Sequence, residues 1–285
     1  MDAYERIKKK KRSRCEGTRA IKYRHKASKE MVAIKKQELR YSKTAHQRIK
    51  ESKLLIHPNI VKHSSSFIDD KDFYIIMEFC QAGSVGYIME NHEITLNEGQ
   101  IARILSGVLK GLECVHKHNI IHDSIMARNI YLTASGIPKL GIPRKYDFHT
   151  SSLTYDRPMH WLAPEFPMDD NPSVLGDMWS IGITAIEMAE GEPPNYHMNP
   201  MKVLFLLMRN PPPRLKHEEL WTNNFIDFIE HCLCDINDRV SAKNAQNLRF
   251  ISMRKDQGLD NIIPLAKLGL NKKKRRYRRL QSSDD

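Results

Sequence analysis

Ile121-His122-Asp123-Ser124-Ile125-Met126-Ala127-Arg128-Asn129 is the stretch on which the fold turns, because it is a polar loop held between patterned apolar segments. Upstream, Ile101, Ile104, Leu105, Val108, Leu109, Leu112 and Val115 recur at i, i+3, i+4, which predicts a helix buried along a broad face. Downstream, Pro138-Lys139-Leu140-Gly141 ends a pair of short strands. Within the loop, Ser124 follows Asp123 and precedes Asn129 by five positions. A serine hydroxyl carries no charge near neutral pH and is a poor base.

Working outward, the N-terminal third is strand-rich and the rest helical. Met31-Val32-Ala33-Ile34-Lys35 and Phe73-Tyr74-Ile75-Ile76-Met77 are short apolar runs dense in β-formers, which predicts buried strands. Between them, Ser42 to Leu55 is helix-compatible and stops before His57-Pro58, where proline disfavours a helical residue ahead of it. A further helix is predicted from Val174 to Ala189, ending at Gly191 before Pro193-Pro194, and two more over Pro200 to Met208 and Thr222 to Cys232. There is no internal repeat.

Composition sets bounds. The 285 residues are 40% hydrophobic, enough for a sizeable core. The net charge of +12 is concentrated at the two ends, since residues 1–14 and 271–285 each hold seven basic and two acidic residues. A nearly neutral body argues against a basic face that grips nucleic acid. Five cysteines without a C-x-x-C pair fit reduced thiols of the cytosol or nucleus, and Cys232 with Cys234 lacks the second ligand pair of a zinc site. With neither an 18-residue apolar run nor a signal peptide, a soluble cytoplasmic or nuclear protein is expected.

The order of these parts resembles a protein kinase of the sterile-twenty class. His122 and Asn129 have the separation of a kinase H-R-D-L-x-x-x-N loop. Met77-Glu78-Phe79-Cys80 with Gly83-Ser84 resembles that family's hinge, and Trp161-Leu162-Ala163-Pro164-Glu165 resembles the end of its activation segment. Asp177-Met178-Trp179-Ser180-Ile181-Gly182 resembles the start of its central helix. The resemblance spans about residues 4–252 and implies an α+β, bilobal protein-kinase-like fold. Residues 1–79 would form the small β-rich lobe, 80–252 the larger helical lobe, and 253–285 a C-terminal extension.

What the resemblance implies for chemistry differs from part to part. Of the glycine-rich phosphate loop, aligned with Cys15-Glu16-Gly17-Thr18-Arg19-Ala20, only Gly17 remains. Lys35 of Val32-Ala33-Ile34-Lys35 matches the lysine that meets the α- and β-phosphates. Its helix partner aligns with Arg48, and like charges near 4 Å repel by about 1 kcal/mol in water and about 4 where partly shielded. Glu51 could serve if the helix register slips. Gly17, Lys35, Glu78 and Cys80 are the candidate nucleotide contacts.

The catalytic positions are degenerate. Ser124 stands for the catalytic Asp, Met126 for the phosphoryl-neutralising Lys, and Ile142 for the metal-binding Asp, with only Asn129 retained. Mg²⁺ demands oxygen ligands, usually a carboxylate, so no metal site is expected unless Asp147-Phe148-His149 is a displaced D-F-G. Losing a positioned proton acceptor alone costs about 10²–10⁴ in rate. In contrast, Glu165 with Arg239 matches the pair that ties the activation segment to the helical lobe, and Asp177 the brace of the catalytic loop.

Within the class, the nearest resemblance is to the sterile-twenty-related adaptor (STRAD) pseudokinases, with Hippo-type kinases next. It implies a catalytically inactive adaptor that allosterically activates a serine/threonine kinase of the liver-kinase tumour-suppressor type, in polarity and energy signalling, together with a helical-repeat scaffold. No cofactor would be required, and ATP would bind, if at all, without Mg-dependent turnover. Those adaptors end in Trp-Glu-Phe whereas this sequence ends Gln281-Ser282-Ser283-Asp284-Asp285, so scaffold binding is not expected to run through the tail. The alternative is a divergent active kinase. Lys272 to Arg279 and Lys8 to Arg12 leave open an import signal, an anionic-lipid or RNA contact, or a solvated end.

Overall fold

Alternating β-formers at the N-terminal side pair into one antiparallel sheet of five strands. These are β1 (Tyr4–Arg6), β2 (Ala20–His25), β3 (Met31–Glu38), β4 (His63–Asp69) and β5 (Asp72–Glu78), in the order β1-β2-β3-β5-β4. β3 sits in the middle, with Lys35 opposite Ala20 on one side and Ile75 on the other. Both predicted strands are present and longer than their apolar runs. β1 and β4 are the two edges of this sheet. The computed structural model describes residues 3–7, 20–38, 54–69, 72–143, 159–166, 173–253 and 263–270. Lys8 to Arg12, Gly17, Arg48, Glu51, Asp147-Phe148-His149 and the basic tail lie outside them.

The helical lobe begins with α1 (Val85–His92) and α2 (Glu98–Lys117). The predicted α2 periodicity begins three residues too late, because Asn97 accepts from Gln100 N at 3.0 Å while the Gln100 side chain accepts from Asn97 N at 3.2 Å. This reciprocal cap satisfies two amides that would otherwise be orphaned. α3 (Val174–Glu190) is buried over nearly its whole length and stops at Gly191, whose φ of 94° is left-handed, the ending expected from the sequence. α4 (Pro200–Leu207), α5 (Asn223–Cys232), α6 (Ala242–Ala245), α7 (Arg249–Ser252) and α8 (Ile263–Leu270) follow. Thr222, predicted as the first residue of α5, lies just before it and donates its hydroxyl to Glu98 Oε2 at 2.7 Å. Leu54, expected in a helix, is in a turn whose carbonyl accepts from Ile56 N at 2.9 Å.

A second sheet, β6 (Gly83–Ser84), β7 (Ile130–Leu132) and β8 (Pro138–Leu140), lies at the junction. Leu140 N donates to Asn59 O and Val61 N to Leu140 O, both at 2.8 Å. The chain that leads into β4 is therefore stitched to the helical lobe. A Cβ on Gly111 of α2 would lie 2.7 Å from Asn59 O, so glycine permits this close approach. The result is an α+β bilobal arrangement, as the sequence predicts.

Candidate functional site

The loop from Ile121 to Asn129 is held from below by one buried carboxylate. Asp177, in the first turn of α3, accepts from His122 N through Oδ2 and from Asp123 N through Oδ1, both at 2.8 Å. His116 Nε2 lies 2.8 Å from the same Oδ2. Charge-assisted bonds of this kind are short and strong. They hold Asp123 at φ 54°, a left-handed conformation that aspartate tolerates better than most residues.

Further along the loop, His122 is fully buried, and burial pushes its pKa below the ordinary value against the opposing pull of Asp177. A neutral ring can donate Nε2–H to Gly141 O at 3.1 Å. Asn129 Nδ2 donates to Ser124 O at 2.8 Å, and Gly141 N donates to Asn129 O at 2.8 Å. A Cβ on Gly141 would collide with the Asn129 side-chain amide, so glycine permits the loop to cross the chain just after β8 this closely. Ser124, Asn129 and Gly141 thus form one hydrogen-bonded unit. Met126 packs against the core of the helical lobe.

Beneath the loop lies a carboxylate that sequence reasoning placed only as a residue within α3. Glu187 Oε2 accepts from Ala127 N and from Trp161 Nε1, each at 2.9 Å. It is fully buried, and burial pushes its pKa up to about 7 against these two hydrogen bonds. The signal was available as a lone acid on an otherwise apolar helix face.

Glu165 and Arg239 meet in a fork of 2.6 and 3.2 Å. Arg239 also donates to Leu175 O at 3.0 Å and to Cys234 O at 3.0 Å. The two ends of the pair differ in burial: the Arg239 side chain is 0% exposed, whereas that of Glu165 is 24% exposed. The carboxylate sits at the rim, and the guanidinium occupies the interior.

Between the lobes the surroundings are apolar. Ile142 packs against two separate clusters, one of Leu55, Ile60, Val115 and Ile120 and the other of Val61, Phe73, Ile75, Met77 and Cys80. Tyr131, which the sequence reading did not single out, joins the second cluster beside Ala33. Lys35 is buried on β3. Glu78 has its carboxylate bound to Lys139 Nζ at 2.9 Å and accepts from Lys62 N at 3.3 Å. Cys80 is buried, and desolvation pushes its thiol up to about 12, with the Glu78 charge adding to the effect. It is a protonated thiol rather than a nucleophile.

The protein kinase domain family matches residues 15–251. The chain belongs to that family. In the kinase frame, the sheet of β1 to β5 is the small lobe, Glu78 to Cys80 the hinge, and the loop from His122 to Asn129 the catalytic loop. The match begins after β1 and ends before α8. α8 is joined to the kinase domain by packing against α1, where His92 Nε2 lies 3.2 Å from Leu268 O. The described residues contain no group of three or more His, Cys, Asp or Glu suited to a metal ion.

Proposed function

We propose that this kinase-domain protein transfers no phosphoryl group and works by binding, as a pseudokinase adaptor that allosterically activates a partner serine/threonine kinase. The observation that carries the reading is the packing of Ile142. Its side chain contacts apolar residues of both lobes at the position where transfer chemistry needs an oxygen ligand for Mg²⁺. Ser124 supports it, since its hydroxyl lies 3.5 Å from the Asn129 amide and offers no carboxylate to a substrate proton.

The finer assignment rests on sequence resemblance. The degenerate Gly141-Ile142-Pro143-Arg144 and the serine at 124 are similar to the sterile-twenty-related adaptors. That similarity supports a partner of the liver-kinase tumour-suppressor type, a helical-repeat scaffold, and a cytoplasmic or nuclear location. In this reading ATP is dispensable. A divergent active kinase is the second reading, favoured by the buried Lys35 on β3 and the retained Asn129. Incubation with radiolabelled ATP, Mg²⁺ and a generic protein substrate separates the two. The pseudokinase reading expects no incorporation, whereas incorporation abolished by Lys35→Met would refute it.

A further inference from the structure

A strand turns alternate side chains to opposite faces, and β7 uses both. Ile130 and Leu132 are fully buried in the core of the helical lobe. Tyr131, between them, is turned the other way and packs against the cluster of Val61, Phe73, Ile75, Met77 and Cys80, which belongs to the small lobe and the hinge. Ala33 packs against the same cluster. It stands two residues before Lys35 on β3, and so on the same face of that strand. The register agrees, since Ala33 lies opposite Met77 and Lys35 opposite Ile75. Tyr131 therefore enters the cleft on the side of β3 that carries Lys35.

Two more side chains cross beside it. Lys139 on β8 is the register partner of Tyr131, and directly opposed residues share a face of the sheet. Its ammonium reaches Glu78 of the hinge at 2.9 Å. Ile142, two residues beyond β8, packs against the same cluster as Tyr131 and against a second one. The second sheet and the chain just after it thus send a ring, a cation and an aliphatic chain across to the small lobe and hinge. A nucleotide whose phosphates met Lys35 and whose base lay toward Glu78 and Cys80 would need this ground. A flat ring among apolar side chains makes the same kind of contact there as a flat base would.

We infer that Tyr131 fills, from within the chain, the part of the cleft that a nucleotide base would take, and that Tyr131, Lys139 and Ile142 together join the two lobes without a ligand. The inference rests on the binding reading above and deepens it. A protein that acts through its shape then keeps that shape whatever the nucleotide concentration. Tyr131 also decides what the cleft rejects, namely a planar purine. An engineered apolar cavity of about 150 Å³ takes up benzene, so the space left by removing a phenol ring beside Ala33 and the Met77 cluster suits a flat aromatic ligand.

The test uses the full chain with adenosine as probe, a ligand that needs neither a metal nor a phosphate loop. Equilibrium dialysis with radiolabelled adenosine and thermal melts are run on the parent chain, Tyr131→Phe and Tyr131→Ala. The parent and Tyr131→Phe, which keeps the ring, should take up no adenosine. Tyr131→Ala should melt several degrees lower, bind adenosine at least about tenfold more tightly than the parent, and regain part of the lost melting temperature on binding. Hydrogen exchange gives a second measure: amides of β5 and the hinge should exchange equally slowly in the parent with and without adenosine, and faster in Tyr131→Ala. Tyr131→Val, which keeps a β-forming side chain, takes the place of the alanine variant should that one not fold. Binding by the parent as tight as by the truncated variant, no gain of binding on truncation, or unchanged exchange at the hinge overturns the proposal. A parent chain that binds adenosine would still fit an adaptor that transfers no phosphate, whereas phosphate incorporation in the assay above would end the adaptor reading without touching these measurements.

Discussion

The floor of the catalytic loop and the cleft above it have opposite chemistry. Below, Asp177, Glu187 and Arg239 are buried charged groups with multiple hydrogen-bond partners. Above, Ile142 and Tyr131 present apolar surface to β3 and β5. The floor is specified by the backbone: loop amides turned away from water need acceptors whether or not any reaction takes place. The cleft in a kinase is specified by the nucleotide and metal. Charge persists in the floor where the fold demands it, and at Ile142 apolar packing stands where a ligand would call for charge, although Lys35 and the Glu78–Lys139 pair remain nearby.

The harshest way to break the comparison is to remove the floor. Asp177→Ala deprives His122 N and Asp123 N of their acceptor and leaves His116 without its partner. Loss of one member of such a buried, hydrogen-bonded charge set typically costs about 3–5 kcal/mol. Chemical denaturation should show this loss together with slower folding to a loosened helical lobe. A cost below about 1 kcal/mol, the scale of an ordinary hydrogen bond, would mean the loop is held by other contacts.

Glu187 sharpens the same side through pH. Its folded pKa is near 7, raised from 4.5. Between those values the folded chain keeps a proton that the unfolded chain has released. The group's contribution to stability therefore falls as pH rises from 4.5 to 7 and levels off above 7. The full swing is about 3 kcal/mol at the usual value per pKa unit. Glu187→Gln keeps a carbonyl for Ala127 N and Trp161 Nε1, and it should flatten this part of the stability profile. An unchanged slope in the variant would assign the titration to another group.

On the cleft side, Ile142→Asp places a carboxylate among Leu55, Ile60, Val61 and Met77. Without a metal or cation to pair with it, a partly buried carboxylate there costs about 2 kcal/mol. The variant should melt lower and still transfer no phosphate. Melting unchanged or raised, with Mg²⁺ giving further protection, would show that the cleft retains a metal-binding geometry.

Sequence patterning exposed the floor more fully than the cleft. Asp177, Glu165 and Arg239 were legible because each lies in a motif of the kinase resemblance, Asp177 on α3, Glu165 in a turn and Arg239 in a loop. Gly191 marked the end of α3 because a left-handed cap favours glycine. The cap of α2 was less visible, since Asn97 and Gln100 precede the apolar stripe. Tyr131 escaped notice because a tyrosine in a short strand is ordinary locally, and its role depends on β3 and β5 arriving from a distance of more than fifty residues in sequence. The double contact of Ile142 is likewise a tertiary fact: the lost carboxylate could be read from spacing, but the two clusters joined in its place could not.

The smallest expected effect lies at Ser124, where restoring the missing base alone should accomplish nothing. In the Ser124→Asp variant the backbone carbonyl of residue 124 still receives the Asn129 amide, because that bond is made to the main chain. The loop should therefore keep its shape, with a change in melting temperature of no more than a few degrees in a half-buried, polar setting. A carboxylate restored there has no lysine at 126 and no metal ligand at 142 to work with, and catalytic groups that act as a unit do not contribute singly. Single-turnover incubation with labelled ATP and Mg²⁺ should give no product above the parent chain. Product formation by this variant would mean that the cleft already binds and orients nucleotide, and that proton acceptance was the one function missing.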